Sequence, residues 1–298
     1  MFLKQTLRPV FFGFLICVCA RMCGAQQSSS ANAVDARELY TQLNNVGIDP
    51  GEIHALRGAR LTRDRVKIYF NRGYVGFFDK VAGEITGAFF VGDGEVLMIP
   101  PNAIEKGSLK QLTGAAVLEE RFSFAYLRFT DNTAAELKAA ALPVDPEDPD
   151  QPTDMAQQWN PIIHRLNSAF SLRIMEDLLG ERDFPYFIAQ VHGLNVGPFG
   201  VVIDQRSPEA VTVGAARTVK GTLFRDIWCS FPTRAADLSG RSAEFSPVKV
   251  ESYKIDTRIQ PDNSLQAVAT VKVQSLSSAE RVLPFLLSSR LDISEVHD

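Results

Sequence analysis

Apolar residues recur along this chain at two spacings, and each spacing marks out its own segments. Near the C-terminal end, Tyr253, Ile255, Thr257 and Ile259 alternate with Lys254, Asp256 and Arg258, and Leu265, Ala267, Ala269, Val271 and Val273 repeat the pattern. A period of two with β-branched residues marks half-buried antiparallel strands. The turn Gln260-Pro261-Asp262-Asn263-Ser264 joins them as a hairpin. Such a pair needs a second layer over its apolar face, because an isolated hairpin is marginal in water.

The same reading runs back along the chain. Ala36, Leu39, Tyr40, Leu43 and Val46 recur at helical spacing, with Gly47 able to end the helix. Arg60 to Pro101 reads as a β-meander. Asn71-Arg72-Gly73 is expected to turn, and Gly92-Asp93-Gly94 is expected to join a hairpin, because Asp-Gly between apolar runs favours one. Ala103 to Leu112 reads as a helix, Phe122 to Phe129 as a strand, and Asp131 as the cap of a helix running through Leu142. Further on, Asn160 suits an N-cap and Pro161 the first helical position. Ile163, Leu166, Phe170, Ile174 and Leu178 then form one stripe that stops at Gly180. A second β run spans Tyr186 to Phe231, turning at Asn195-Val196-Gly197 and around Gln205 to Pro208.

These elements predict an α+β fold, mainly antiparallel sheet with a few helices. They divide the chain into a leader (1–25), a polar linker (26–34), an α+β domain (35–142), a stiff Pro/Asp linker (143–153), a helix-plus-sheet segment (154–235) and a terminal β segment (248–298). Four prolines keep 143–153 out of any ladder. The two β runs follow a similar order, so segment 154–235 is either a duplicate of 35–142 or part of the same sheet.

The leader has the order of an export signal. Lys4 and Arg8 precede the apolar run Val10 to Ala20, and Cys23-Gly24-Ala25 supplies small residues for cleavage after Ala25. The run is too short to span a bilayer, which takes roughly 20 apolar residues. The expected location is periplasmic or extracellular. Cleavage removes three of the four cysteines and leaves Cys229 alone, so the mature chain can form no internal disulfide. It also removes three of the 31 basic residues and none of the 35 acidic ones, leaving 28 against 35 and a net charge near −7. That balance argues against a nucleic-acid binder.

The terminal pattern Tyr-x-Ile-Asp-x-x-Ile (Tyr253 to Ile259), the alternating strand after it, and Leu291, Ile293 and Val296 together resemble the first strands of the N-terminal β-domain of M1-family zinc aminopeptidases. The runs GAFFVGDGEVLMIPP from Gly87 and LTGAAVLEER from Leu112 are similar to the leader region of bacterial M1-like peptidases. The resemblance implies an exported metallopeptidase whose residues 248–298 open an M1-like β-domain. The family's H-E-x-x-H zinc motif and G-x-M-E-N loop are absent from this chain, so the resemblance carries over no catalytic residue.

The residues themselves assign none either. His54, His164, His192 and His297 show no ligand spacing with one another. His192 lies on a strand and could serve as a base, but no nucleophile signature stands near it. Cys229, in an aromatic strand, reads as a small buried hydrophobe. Glu119 and Glu120 point to opposite faces of a strand and read as a solvated edge. Gly193 to Gly200 lacks the Lys-Ser/Thr of a phosphate loop and reads as a turn. No catalytic, cofactor-binding or metal residue is therefore assigned, and zinc is expected only in a catalytic domain outside this sequence. The leading expectation is a non-catalytic N-terminal region that packs against that domain. The alternative is a stand-alone periplasmic binding or scaffold module, with peptide or protein ligands.

Overall fold

The structure, a computed structural model, describes residues 35–144, 154–180, 184–219, 222–239, 248–262, 264–276, 281–285, 287 and 291–297. The leader, the linker 26–34 and most of the linker 143–153 lie outside the described residues.

Alternation in the body of the chain produces nine antiparallel strands: β1 (Ile48–Arg63), β2 (Val66–Phe78), β3 (Gly87–Met98), β4 (Leu118–Phe129), β5 (Ala141–Leu142), β6 (Tyr186–Gly193), β7 (Gly197–Asp204), β8 (Val211–Val219) and β9 (Thr222–Phe231). They form one sheet in the order β5-β1-β2-β3-β4-β6-β7-β8-β9. Because β4 pairs with β6, residues 35–142 and 154–235 contribute to a single sheet. The fold is α+β and dominated by antiparallel sheet.

Both faces of this sheet are covered. On one, Leu56, Phe70, Phe90, Phe122, Phe187, Phe199 and Trp228 join Leu109 of α2 (Ala103–Thr113) and Leu137 of α3 (Thr133–Ala140) in a core that spans β1 to β9. Helix α2 leaves between β3 and β4 yet reaches the last strand, where Ser108 donates to the Trp228 carbonyl (2.6 Å) and Glu105 accepts from the Ser230 N–H (3.0 Å). These contacts also cover one end of the open β9 edge, a position that otherwise invites a further strand. On the opposite face, α1 (Ala36–Asn45), α4 (Met155–Asn167) and α5 (Ser171–Leu179) pack Leu39, Leu43, Ile163 and Ile174 against Phe78, Phe89, Tyr126 and Ile188.

Several local expectations are corrected. Asn71-Arg72-Gly73 and Gly92-Asp93-Gly94 do not turn the chain. β2 and β3 each run straight through them, with register shifts between Phe70 and Arg72 and between Val91 and Gly94. The glycines serve a close approach instead. A Cβ on Gly73 would lie 2.2 Å from the Val91 carbonyl oxygen, and one on Gly92, whose φ is +149°, 2.2 Å from that of Arg72. Glycine inside a strand marks a bulge or backbone contact as readily as a turn. β1 begins at Ile48 rather than near Arg60, its early alternation being interrupted by Pro50, Gly51 and Gly58.

The helices differ too. α3 stops at Ala140, and the next two residues form β5. The stripe from Ile163 to Leu178 is two helices broken at 168–170, and α4 starts at Met155 with Pro161 inside it. Asn160 is not its cap: the side-chain oxygen accepts from the Ile48 N–H (2.8 Å) and so pins α4 to β1. After β9 come α6 (Arg234–Ser239) and a separate two-stranded sheet, β10 (Val248–Ile259) with β11 (Leu265–Ser275). No helix among the described residues is long and apolar enough to cross a membrane.

Candidate functional site

Two surfaces and two buried polar clusters hold the unusual chemistry. The first surface is the β10–β11 hairpin. Its register places Tyr253 opposite Val271, Ile255 opposite Ala269 and Ile259 opposite Leu265, so these apolar residues share one face. The other face carries Lys254 paired with Asp256 (3.1 Å) and Lys272 paired with Glu251 (2.7 Å). The apolar face is bare: Tyr253 is 61% exposed, Ile255 62% and Ile259 74%. Past the hairpin, Val282 is buried in the helix-covered core of the main sheet, while Phe285, Ile293 and Val296 stay exposed.

The second surface lies on the helix-covered face of the main sheet, at the margin of its helices. Tyr74, Val91 and Phe124 are cross-strand neighbours on β2, β3 and β4. Trp159 of α4 leans over Phe89 (ring centroids 4.7 Å apart) and Phe124 (5.2 Å), and His192 of β6 stacks on Phe124 at 5.4 Å with an interplanar angle of 19°. Exposure grows along this row, from buried Phe89 through half-buried Tyr74, Phe124 and Trp159 to exposed His192. No hydrogen bond to the His192 ring exists among the described residues, so it lacks the partner that would orient a general base.

Arg128 centres the first buried cluster. Its guanidinium is fully buried and donates to Asn167 Oδ1 (2.8 Å), the Thr86 carbonyl (3.1 Å), Tyr126 Oη (3.4 Å) and the Leu43 carbonyl (3.5 Å), all neutral acceptors. Leu43 is in the last turn of α1, where unpaired carbonyls give a helix end partial negative charge. That turn holds no basic residue of its own, and Arg128 supplies the cation from the sheet. Asn167 completes the cap by donating to the Asn44 (3.0 Å) and Val46 (2.8 Å) carbonyls. Burial raises the Tyr126 phenol above its ordinary range, and Arg128 offsets part of that rise. Sequence reading passed over Arg128. The signal was a cation in the apolar strand FAYLRF, at the same alternation as Tyr126.

The second cluster joins α5 to the β6–β7 end of the sheet. Arg173 reaches Asp204 (3.1 Å), Asp177 and the Phe184 carbonyl (2.8 Å); Arg206 reaches Glu176 (3.2 Å) and Asp177 (3.4 Å). Asp177 is fully buried and also accepts from the Thr130 hydroxyl. Burial works to lower the Arg173 pKa, but Asp204 and Asp177 outweigh it and hold the pKa above its usual value. These ion pairs tie α5 to the β6–β7 end of the sheet and read as a brace.

The remaining candidates lie apart. His54 on β1 sits 3.3 Å from Glu52, which is held below its usual pKa by Lys138 (2.7 Å) and then by His54. His164 is exposed on α4, and His297 pairs with Glu295 (2.9 Å). Cys229 is buried in the core, and burial pushes its thiol up to about 12, with Glu105 adding to the rise. A thiol so hard to ionise is a poor nucleophile. Glu119 is exposed, but Glu120 is buried and corrects the solvated-edge expectation: it accepts from the N–H and side-chain amide of Asn195 and fastens the β6–β7 turn. A cavity of about 630 Å³ opens beside Glu95, Ala115, Ala116, Val117, Glu119, Arg121 and Asn195. No group of three or more His, Cys, Asp or Glu is placed to hold a metal among the described residues.

No family model, no curated protein and no solved structure matches the chain.

Proposed function

We propose that this chain is the non-catalytic N-terminal region of an exported M1-like metallopeptidase. In this reading residues 248–298 open a β-domain that packs against a zinc-bearing catalytic domain, and the nine-stranded body flanks it. The observation that supports the reading is the hairpin. Its sequence carries the family resemblance, and its apolar face lies open while its other face is charged. A two-stranded ribbon is marginal by itself, and an amphipathic one is stabilised by a second layer. No residue of this chain is assigned a step in peptide hydrolysis.

Sequencing the transcript past Asp298 tests this directly. An in-frame His-Glu-x-x-His is the expected result, and a stop codon before any such motif sinks the proposal. The purified mature chain by itself is expected to retain no equimolar zinc after dialysis and to leave an aminoacyl anilide intact. A second reading, a stand-alone periplasmic binding or scaffold module, is favoured by the graded row of rings from Phe89 to His192. A stop codon would leave that reading in place.

A further inference from the structure

Gln190 of β6 and Arg225 of β9 reach toward each other across the helix-covered face of the sheet, and both end in donors without partners. Gln190 is 8% exposed, and its Nε2 has no hydrogen-bond partner among the described residues. The Arg225 Nε is buried and equally without a partner among them. Buried donors are paired as a rule, and an orphan calls for an explanation. The neighbouring Asp226 does not neutralise Arg225. It points to the other face and pairs with Arg217 (2.7 Å).

Two glycines bring the donors together. Gln190 pairs across the strands with Gly200, Gly200 with Gly214, and Gly214 with Ile227, two residues from Arg225 and on the same face. A Cβ on Gly200 would lie 2.6 Å from Gln190 Nε2, so the amide occupies the place of the missing side chain and leans toward β9. From the other side, the Arg225 guanidinium reaches inward over the Phe170 ring, 5.5 Å from its centroid. Phe170 packs 5.7 Å from the ring of Tyr126, the residue opposite Gln190 on β4. Three strand spacings separate β6 from β9, about 14 Å at ~4.8 Å each. The two side chains shorten that span from both ends.

An anion would satisfy both. A guanidinium stacked on a ring keeps its N–H edge free, and that planar fork matches a carboxylate. The amide adds a neutral donor. Phe170 also opens α5, whose first turn has no side-chain cap and no acidic residue, and a helix N-terminus favours negative charge. One cation balances a monoanion, whereas a phosphate dianion would keep uncompensated charge. Apolar surface lies next to the donors. His192 is two residues from Gln190 on the same face of β6, about 7 Å at ~3.4 Å per residue. It stacks on Phe124, with Trp159 beyond.

We propose that Arg225 and Gln190 form a carboxylate-binding site, and that the rings of His192, Phe124 and Trp159 hold the apolar or aromatic body attached to that carboxylate. The site belongs to the nine-stranded body and does not depend on the peptidase reading.

Titration calorimetry of the full mature chain with 3-phenylpropionate tests this. Saturable binding is expected, with a change in Trp159 emission. Trp228 is buried in the other core, and a Trp159→Phe protein supplies its background. The neutral isostere 3-phenylpropionamide should bind the parent protein at least about ten-fold more weakly than the acid, because a charge-assisted hydrogen bond is lost. Arg225→Gln should weaken the acid by a similar factor. Gln190→Glu keeps the shape and adds a negative charge; it should weaken the acid and spare the amide. Arg217→Gln, which removes an exposed arginine from the adjoining strand, should change neither. Absence of saturable binding, or equal affinity of the parent for acid and amide, overturns the site, and neither result depends on a variant folding. Unchanged acid affinity in Arg225→Gln and Gln190→Glu overturns its location. Inorganic phosphate that displaces 3-phenylpropionate at equal concentration overturns the apolar carboxylate as the ligand class.

Discussion

β6 and β10 carry nearly the same instruction and meet opposite fates. β6, from Tyr186 to Gly193, is buried at seven of its eight positions. β10, from Val248 to Ile259, has stricter alternation and is exposed at eleven of its twelve. The difference lies in their neighbours. β6 has β4 and β7 beside it, one core on each face, and α5 packed across it. β10 has β11 alone. Alternation states what a strand needs, and only the rest of the sequence can provide it. In the nine-stranded body the need is met on both faces. At the hairpin it is left open, which is why the proposed function rests there.

The sharpest way to break this contrast is a matched pair of truncations. Ile188→Ala removes a fully buried side chain packed between sheet and helices, and is expected to lower unfolding free energy by about 2–5 kcal/mol. Ile255→Ala removes an equal side chain that is already solvated and is expected to stay within about 0.5 kcal/mol of the parent. Urea titration followed by circular dichroism reads both. Equal losses would mean that the hairpin face is covered in solution, and the contrast would fail.

A comparable effect is expected from Arg128→Met, which keeps much of the bulk and removes every donor. It removes a donor from the Leu43 carbonyl, while the Thr86 carbonyl still accepts from the Phe129 N–H (3.0 Å) and Asn167 Oδ1 from the Tyr126 hydroxyl (2.9 Å). An unsatisfied buried acceptor costs about 1–3 kcal/mol where it cannot relax, so a loss of about 1–3 kcal/mol is expected overall. The body should unfold earlier in urea while hairpin probes, such as Tyr253 fluorescence, stay where they were. An unchanged midpoint would show that the α1 end is satisfied without Arg128.

What could be read beforehand follows the same division. Fold class was legible, because alternation and the Pro and Gly punctuation are local signals. The β6–β7 turn at Asn195 and the helices α1 and α2 were legible for that reason. The bulges at Gly73 and Gly92 were not, because a glycine that permits close backbone approach looks the same in sequence as one that permits a turn. The break between α4 and α5 was hidden too. Asn160 resembles a cap until its side chain is seen bonding Ile48, 112 residues away. Arg128 and the row from Tyr74 to His192 depend on strand register across the sheet, which no single segment encodes.

Alkaline pH offers a smaller and graded separation. Cys229 has an ordinary pKa of 9.0 and is pushed up to about 12 in the fold, first by burial and then by Glu105. Above pH 9 the unfolded chain releases this proton while the folded one keeps it. The stabilisation is thus complete below pH 9 and is lost as pH rises toward 12, at about 1.4 kcal/mol per pH unit. Buried Tyr126 and Tyr186, also raised by burial, steepen the fall above pH 10. Cys229→Ala should flatten the slope between pH 9 and 10. An unchanged slope there would assign the loss to other groups.

The smallest energies belong to the hairpin itself, and hydrogen exchange can resolve them. A two-stranded ribbon opens for little free energy, whereas strands inside a covered sheet exchange only when much of the fold opens. Amides in 253–259 and 265–273 should therefore exchange well before those from Tyr186 to Asp204, in a range where circular dichroism sees no change. Limited proteolysis should likewise cut first around Ser242 to Pro247, between the two sheets, and release the terminal segment from an intact body. The outcome that matters most is equal protection in the two regions. It would mean that the exposed face of Tyr253, Ile255 and Ile259 already has a cover in solution. The hairpin would then lose its standing as an open docking face, and the module reading would replace the peptidase one.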